Sequence, residues 1–409
     1  MGTRTTTTVM TPPPDDEQST EAWLAAALGE RFQSNQLRQR QLIRPIDSVH
    51  VEIDGRRYVN FCSNNYLGLT HHPRVIEAVA RAAQSRGAGA GASGLISGYT
   101  DLHASAERAL ARWKGTESAV LLASGYQANH AIVQTIAGIA QSTGTRARFL
   151  LDKLAHASLI DAIRATDLPL RVFPHNHLEK LERLLSEADA TERQIVVTES
   201  IFSMDGDSSP LAGLAQLKSR FPFALLLDEA HGSGAYGENG SGYANELGLT
   251  EAVDLFVVTL SKSLGGAGGA LCASKGWCEA LVNWGRAYIY STAPPPAVAA
   301  ACEAAIEIMS KEPERQGRVR ELSRRVRAAL HLIGDSPIVP MVVGEESAAI
   351  EAAAKLRGRG MLVLPVRPPT VPRGTSRLRI TLSCDHSDEE VQTLMDAIKT
   401  IKPMADSDQ

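Results

Sequence analysis

The chain has 409 residues, of which 44% are hydrophobic and 22% charged, and its formal net charge is −4. This composition is ordinary for a globular protein of two or three domains, and the charge gives no electrostatic basis for binding nucleic acid or an anionic membrane. No apolar run reaches the length of about 18 residues that a membrane span requires.

The N-terminal segment, residues 1–19, is rich in Thr, Pro and Asp. It has neither the basic region nor the apolar core of a signal peptide, so we expect a disordered tail on a cytoplasmic protein. The cysteines are odd in number and form no C-x-x-C pattern, which favours reduced thiols and argues against a zinc site. They are Cys62, Cys272, Cys278, Cys302 and Cys384.

Residues 20–60 are predicted to form a helix followed by a hairpin. The helix is expected over residues 21–40, where apolar side chains recur with helical spacing. The hairpin is expected over residues 50–61, where apolar and polar residues alternate around an Asp54-Gly55 turn.

Residues 61–293 alternate between short apolar runs and helical segments, which is typical of an α/β domain with a mostly parallel sheet. Because the runs are apolar at successive positions, they predict strands that are buried on both faces. Ligands of such sheets bind beyond the carboxyl ends of the strands. The runs lie at 119–123, 148–151, 194–198, 224–227, 255–259 and 269–273.

Residues 294–409 are predicted to form a smaller α+β domain. Its expected elements are helices at 294–309 and 314–332, strands at 339–343, 362–366 and 377–382, and an exposed turn at 371–374.

A glycine-rich stretch at 87–98 contains the pattern G-x-G-x-x-G between Gly89 and Gly94. The dinucleotide-binding form of this pattern follows a strand, whereas this one follows a predicted helix. We therefore expect a loop that gates the substrate, or a set of turns, and we do not expect a dinucleotide site.

Two polar side chains follow the predicted strands at 224–227 and 255–259. Asp228 ends the first strand, and Lys262 follows the second, ahead of a glycine cluster. A carboxylate that can hold a pyridinium nitrogen and a lysine that can form a Schiff base are what pyridoxal phosphate (PLP) requires. The alternative for Asp228 is a cap on the next turn, and for His231 a structural role. In a desolvated site the pKa of Lys262 would fall, which suits a nucleophile and base.

Further residues could complete such a site. Ser124-Gly125-Tyr126 lies where a strand turns into a helix, and helix N-termini bind phosphate readily. His156 could stack on a flat ring or could cap a helix. Arg377 and Arg379 lie two apart on a predicted strand and therefore face the same side, where one of them could clamp a carboxylate.

Six short motifs are distributed along the chain: Ser63-Asn64-Asn65-Tyr66-Leu67-Gly68-Leu69, Ser97-Gly98-Tyr99, Ser124-Gly125-Tyr126, Phe202-Ser203-Met204-Asp205-Gly206-Asp207, Asp228-Glu229-Ala230-His231-Gly232 and Ser261-Lys262. In this order they resemble the α-oxoamine synthase family of fold-type I PLP enzymes, over residues 21 to 402. The segment Arg367-Pro368-Pro369-Thr370 is most similar to the biotin-pathway branch of that family. The resemblance implies a mostly parallel seven-stranded sheet in the large domain.

The resemblance also implies roles for individual residues. Lys262 would tether PLP and act as base, Asp228 would pair with the pyridine nitrogen, and His156 would stack on the ring. Further cofactor contacts would come from Ser124, Gly125, Tyr126, Ser203, His231, Thr259 and, from a neighbouring subunit, Thr292. Substrate contacts would come from Arg38, Asn65, Thr370 and Arg379, with Arg377 as the alternative to Arg379.

The implied reaction is a decarboxylating condensation of L-alanine with a pimeloyl thioester of CoA or acyl carrier protein, catalysed by a homodimer. One alternative is a relative that uses glycine or serine with another acyl-CoA. A second alternative is a non-catalytic partner subunit, which the presence of Lys262 and Asp228 disfavours.

Overall fold

The computed structural model describes residues 19–34, 36–189 and 191–401. It divides into two compact units, Met1–Arg44 and Pro45–Gln409. The predicted tail at 1–19 lies outside the described residues except for Ser19. The predicted boundaries at 61–293 and 294–409 remain predictions.

The first unit contains helix α1, Thr20–Gln33, and the two-residue strand β1, Arg44–Pro45, spans the boundary between the units. Ser19 caps α1 by accepting the N–H of Ala22 at 3.1 Å. The predicted helix over 21–40 is too long. At Ser34 the hydroxyl donates to the carbonyl of Glu30 at 2.8 Å, a side-chain contact typical of a helix that is ending.

The second unit begins with the predicted hairpin, in which β2 pairs antiparallel with β3. Two helices follow, and the first has Pro73 at its first position, where the missing N–H costs nothing. The elements are β2 His50–Ile53, β3 Arg56–Asn60, α2 Pro73–Arg86 and α3 Asp101–Lys114.

A seven-stranded sheet forms the centre of the second unit. Its strands are β4 Ser118–Leu122, β5 Ala147–Asp152, β6 Leu170–Phe173, β7 Arg193–Glu199, β8 Phe223–Asp228, β9 Leu255–Thr259 and β10 Gly269–Ala273. Their order is β4-β10-β9-β8-β7-β5-β6, and β10 is antiparallel to both neighbours while the other pairs are parallel. The predicted fold class, with a mostly parallel seven-stranded sheet, is confirmed.

Helices cover both faces of this sheet. Because successive residues of a strand point to opposite faces, Leu225 and Leu227 join one hydrophobic core and Leu226 joins the other. The helices that connect the strands are α4 Gly125–Thr143, α5 Ala157–Arg164, α6 Leu178–Ser186, α7 Leu211–Lys218 and α8 Tyr243–Glu246. Two more helices follow β10, α9 Lys275–Trp284 and α10 Arg286–Ile289.

The C-terminal part contains α11 Pro296–Lys311, α12 Glu314–Ala329, β11 Ile338–Gly344, α13 Glu346–Gly358, β12 Met361–Leu362, β13 Leu364–Val366, β14 Ser376–Thr381 and α14 Asp388–Ile401. The strand predicted at 362–366 is in fact two strands. At Val363, which is 2% exposed, the chain leaves β12, which pairs with β3, and enters β13, which pairs with β14. In the predicted exposed turn at 371–374, Val371 is buried.

No helix in the described ranges is long and apolar enough to cross a membrane. The cytoplasmic location remains a prediction.

A buried ion pair joins α3 to the turn that follows β8. The Nζ of Lys114 contacts Glu229 Oε2 and the carbonyl of Ser241, and it lies 3.2 Å from Ser233 Oγ. Glu229 Oε1 accepts the N–H of Ala244 at 2.9 Å, and both charged side chains are at most 1% exposed. Glu229 directly follows Asp228, so the pair fixes the backbone that presents Asp228.

We expect Lys114→Met to lower the free energy of unfolding of the PLP-free protein by about 3–5 kcal/mol, because Glu229 is left charged and buried without a partner. Urea unfolding followed by circular dichroism measures the change. The control is Lys275→Met, since Lys275 is exposed and pairs with Glu279 at 3.7 Å; its effect should stay below about 0.5 kcal/mol. Equal effects of the two substitutions would contradict this interpretation.

Candidate active site

The carboxyl ends of three adjacent parallel strands meet at one edge of the sheet. β7 ends at Glu199, β8 at Asp228 and β9 at Thr259, and Glu199 and Asp228 are register partners. Neighbouring strands are about 4.8 Å apart, so the ends of β7 and β8 hold two carboxyl groups close together. Lys262 lies three residues beyond β9, and its amine interacts electrostatically with both carboxyl groups.

The carboxylate of Asp228 is held in a fixed orientation. Its Oδ2 accepts a hydrogen bond from Asn129 Nδ2, and its Oδ1 accepts one from the N–H of Ala230, both at 2.9 Å. Asn129 belongs to α4 and also donates to Ser158 Oγ at 2.9 Å. Asp228 is 5% exposed, so its charge acts in a largely dry environment.

Burial lowers the pKa of the Lys262 amine below its ordinary value, and the charge of Arg379 lowers it further, while the carboxylate of Asp228 opposes the shift. A lower pKa increases the neutral fraction of the amine, which is the form that acts as nucleophile and base. The predicted pairing of Lys262 with Asp228 in one site therefore has a geometric and an electrostatic basis.

Glu199 is a member of this cluster that sequence reasoning missed. It is 2% exposed, and its Oε1 has no hydrogen-bond partner within the described ranges. Burial, together with the charge of Asp228, raises the pKa of Glu199 well above its ordinary value. We infer that Glu199 is neutral, because two adjacent buried carboxylates beside one lysine would be costly. The sequence feature that could have identified Glu199 is its position directly after an apolar run, which it shares with Asp228.

Two histidines lie near the lysine in different surroundings. His156 is exposed and caps α5, with its Nδ1 2.7 Å from Ser158 Oγ. Desolvation lowers its pKa, and the charge of Lys262 adds to the shift while Asp228 opposes it. His231 is buried, and burial and then Lys262 and Arg379 lower its pKa well below the ordinary value. Both shifts favour the neutral form of the imidazole.

His231 is connected to Arg379 by a chain of hydrogen bonds. The Nδ1 of His231 lies 2.7 Å from the hydroxyl of Tyr66, which donates to Asn64 Oδ1 at 3.1 Å. Both terminal nitrogens of Arg379 donate to the same Asn64 oxygen at 3.2 Å, and its Nε donates to the carbonyl of Ser203 at 2.6 Å. Burial raises the pKa of Tyr66 to about 12, so its hydroxyl keeps its proton.

The two arginines of β14 have different partners. Arg377 forms an ion pair with Asp205 and donates to the carbonyl of Thr375 at 3.1 Å. Arg379, in contrast, has no carboxylate partner in the part of the chain that the structure describes, and its acceptors Asn64 and Ser203 are neutral. Arg379 is therefore the better candidate for binding a substrate carboxylate.

The first turn of α4 forms a close contact with the end of β9. A Cβ added to Gly125 would lie 2.3 Å from Thr259 Oγ1, so only glycine allows this approach. Ser124 caps the helix by accepting the N–H of Gln127 at 3.0 Å. Tyr126 is half exposed and donates to Asp161 Oδ2 at 3.0 Å. The predicted anion site thus has a capped helix terminus with glycine at its first position.

Four residues predicted to contact the substrate or the cofactor have no described contact with Lys262 or Asp228. Their roles remain predictions. The amide of Asn65 is used within its own loop, where it donates to Thr70 Oγ1 at 2.7 Å. Thr370 and Thr292 are exposed, and Thr292 forms a bridge with Ser93. Arg38 is exposed in the first unit.

A family model described as aminotransferase class I and II matches residues 56–398. The chain therefore belongs to the class I and II aminotransferase family.

Within this family, the chain is 40% identical over 382 residues to 8-amino-7-oxononanoate synthase of Cellvibrio japonicus. The matched region covers 92% of this chain and 94% of the relative. The predicted resemblance to the α-oxoamine synthases is confirmed.

Two solved structures resemble the fold. Serine palmitoyltransferase of Sphingomonas wittichii has a TM-score of 0.86 and 29% identity, and covers 95% of this chain and 98% of its own. The structure of 8-amino-7-oxononanoate synthase from Francisella tularensis has a TM-score of 0.71 and 25% identity. The match covers 84% of this chain and 97% of that structure.

We expect Gly125→Ala to weaken PLP binding by about tenfold or more, equivalent to at least 1.4 kcal/mol, because the new methyl group displaces Thr259 or the helix terminus. The affinity is measured by titrating the PLP-free protein and following absorbance. The matched control is Gly317→Ala in α12, where an added Cβ meets no atom within 4 Å. If Gly125→Ala binds PLP as tightly as the control, the close contact does not shape the site.

Proposed function

We propose that this protein condenses L-alanine with a pimeloyl thioester and releases 8-amino-7-oxononanoate, CO2 and the free thiol, a reaction of biotin biosynthesis. PLP is the cofactor, and the enzyme is an acyltransferase. The observation that carries the proposal is the half-buried Lys262, whose desolvated amine interacts with Asp228, in a chain that is 40% identical to 8-amino-7-oxononanoate synthase over nearly its whole length.

The residues present fit PLP. The capped helix terminus at Ser124 and Gly125 would receive the phosphate, with Thr259 close beside it. The buried carboxylate of Asp228 would hold a protonated ring nitrogen, and Lys262 would form the covalent link to the aldehyde. When bound, PLP supplies an electron sink for a carbanion at the α-carbon of the amino acid.

The chain itself binds the amino acid and moves its proton. Arg379 would hold the substrate carboxylate, since its described partners are neutral. The neutral amine of Lys262 would remove the proton from the α-carbon, and its lowered pKa increases the fraction of the amine in that basic form. The carboxylate of Asp228 would face the ring nitrogen, while a neutral Glu199 would add no competing charge.

In the overall reaction a carbon–carbon bond forms between the α-carbon of alanine and the thioester carbonyl, and the carbon–sulfur bond breaks. The alanine carboxyl group then leaves as CO2, and a proton returns to the α-carbon. Holding both substrates against one carbon is the main contribution the protein can make to this step.

A second candidate function uses serine with a longer acyl-CoA. The higher TM-score to serine palmitoyltransferase favours it, whereas the higher sequence identity to 8-amino-7-oxononanoate synthase favours alanine. We give more weight to sequence identity, because proteins of one family share the fold and differ in the side chains that select the substrate.

We also propose that the enzyme is a homodimer. Ile96 and Tyr290 are 81% and 73% exposed in segments joined by the Ser93–Thr292 bridge, and exposed apolar side chains of this kind mark protein interfaces. With a second copy covering this face, Thr292 would contact the cofactor of its partner. A monomeric mass in analytical ultracentrifugation would contradict the proposal.

A substrate panel tests the reaction. L-alanine, glycine and L-serine are each combined with acetyl-, pimeloyl- and palmitoyl-CoA, and free-thiol release is measured. We expect alanine with the pimeloyl thioester to exceed every other pair in kcat/KM by about tenfold or more, the discrimination available from a methyl group. A parallel arm with pimeloyl-acyl carrier protein identifies the carrier. The variant Lys262→Ala is the inactive control and should release no thiol with any pair.

Faster thiol release with glycine or serine than with alanine would reject the assignment of alanine as the amino-acid substrate.

The substitutions Arg379→Lys and Arg377→Lys show which of the two arginines binds the alanine carboxylate. We expect Arg379→Lys to raise the KM for alanine by about tenfold or more, since an ammonium cannot reproduce the bidentate fork. Arg377→Lys should change KM less, because its ion pair with Asp205 can be kept by a lysine. The measurement is steady-state kinetics with alanine varied. The reverse order of effects would show that Arg377 binds the carboxylate.

A further inference from the structure

His175 forms a bridge between two carboxylates outside the reaction centre. Its Nδ1 lies 2.9 Å from Asp152 Oδ1, and its Nε2 lies 2.7 Å from Asp207 Oδ2. Asp152 ends β5 and is 1% exposed, whereas Asp207 belongs to the loop after β7. When both ring nitrogens carry hydrogen, each can donate to one carboxylate, so the arrangement fits an imidazolium.

The surroundings of His175 favour its charged form. Asn176 reinforces the same carboxylates, since its N–H donates to Asp152 Oδ2 at 2.9 Å and its Nδ2 donates to Asp207 Oδ2 at 3.2 Å. The edge of the His175 ring meets the Phe202 ring, with centroids 4.4 Å apart. Although burial lowers its pKa, the two carboxylates raise the pKa of His175 to about 10. Arg327 of α12 also interacts electrostatically with Asp207.

The loop that His175 contacts also reaches the substrate arginine. We call residues 202–207 the Ser203 loop. It is closed by hydrogen bonds from the N–H of Phe202 to the carbonyl of Asp207 and from the N–H of Gly206 to the carbonyl of Phe202, both at 2.9 Å. From this loop the carbonyl of Ser203 accepts the Nε of Arg379 at 2.6 Å. The loop is therefore bonded to His175 through Asp207 and to Arg379 through Ser203.

We propose that His175, as an imidazolium bound to Asp152 and Asp207, is a positioning residue that fixes the Ser203 loop and thereby the orientation of Arg379 for the amino-acid carboxylate. His175 touches neither substrate nor cofactor in this role. The inference rests on the proposed function only where it names the bound carboxylate as that of the amino-acid substrate. The bridge from His175 to Asp152 and Asp207 is a property of the PLP-free chain.

The first test needs neither cofactor nor turnover. The PLP-free protein is labelled with ¹³C-histidine, its imidazole signals are followed by NMR from pH 6 to 9, and His175→Gln assigns the His175 signal. We expect this signal to keep its imidazolium shift up to pH 9. A titration near pH 6.5, the ordinary histidine value, would overturn the proposal.

The second test separates positioning from folding. We expect His175→Gln to raise the KM for alanine by about tenfold while kcat falls less than about threefold, since binding and not chemistry is affected. The control is His177→Gln, two residues away, where the side chain is 41% exposed and contacts neither Asp152 nor Asp207; this substitution should leave KM unchanged.

A double-mutant cycle with Asp207→Asn completes the design. Once His175 is replaced, Asp207→Asn should raise KM by less than about twofold, because the interaction is already lost. Independent effects of the two substitutions, or a lower melting temperature of His175→Gln with an unchanged KM, would overturn the proposal. If the wild-type enzyme does not use alanine, the proposed function fails, and the NMR test still decides whether the bridge exists.

Discussion

The site depends on holding the amine of Lys262 near the carboxylate of Asp228 where water is largely excluded. Burial favours the neutral form of the amine, and the nearby carboxylate limits that shift. The parallel sheet supplies this arrangement, because β8 and β9 are neighbours and end at the same edge. Glu199, at the end of β7, is compatible with the pair when it is neutral, since its pKa is raised by burial.

The structure around this pair restrains it from several directions. Asn129 orients Asp228 from α4, and the Lys114–Glu229 ion pair fixes the turn that follows Asp228. On the substrate side, hydrogen bonds connect His231 through Tyr66 and Asn64 to Arg379. Pre-oriented polar groups of this kind lower the cost of binding a charged substrate, because little reorganisation remains to be done.

The strands that hold the site were predictable because they are buried on both faces and therefore apolar at successive positions. Asp228 and Lys262 were found because each directly follows such a run. Strand β6, at the sheet edge, was not predicted, since it has only four residues and the charged Arg171 interrupts its apolar run.

Other features depend on tertiary contacts that one sequence does not display. The switch between sheets at Val363 leaves no polar break in the run 362–366, so one strand was expected where two exist. The neutral state of Glu199 depends on neighbours from other strands, and the use of Asn64 in the arginine network depends on β14. Adjacent Asn64 and Asn65 look alike in sequence, and only the folded loop distinguishes them.

The central claim is that Lys262 is the residue that holds PLP beside Asp228. Borohydride reduction of the PLP-loaded enzyme makes the link to the lysine permanent, and peptide mass spectrometry then locates the added pyridoxyl group. We expect the modification on the peptide that contains Lys262, and no modified peptide from Lys262→Ala treated in the same way. A pyridoxyl group on another lysine of the wild-type enzyme would contradict it.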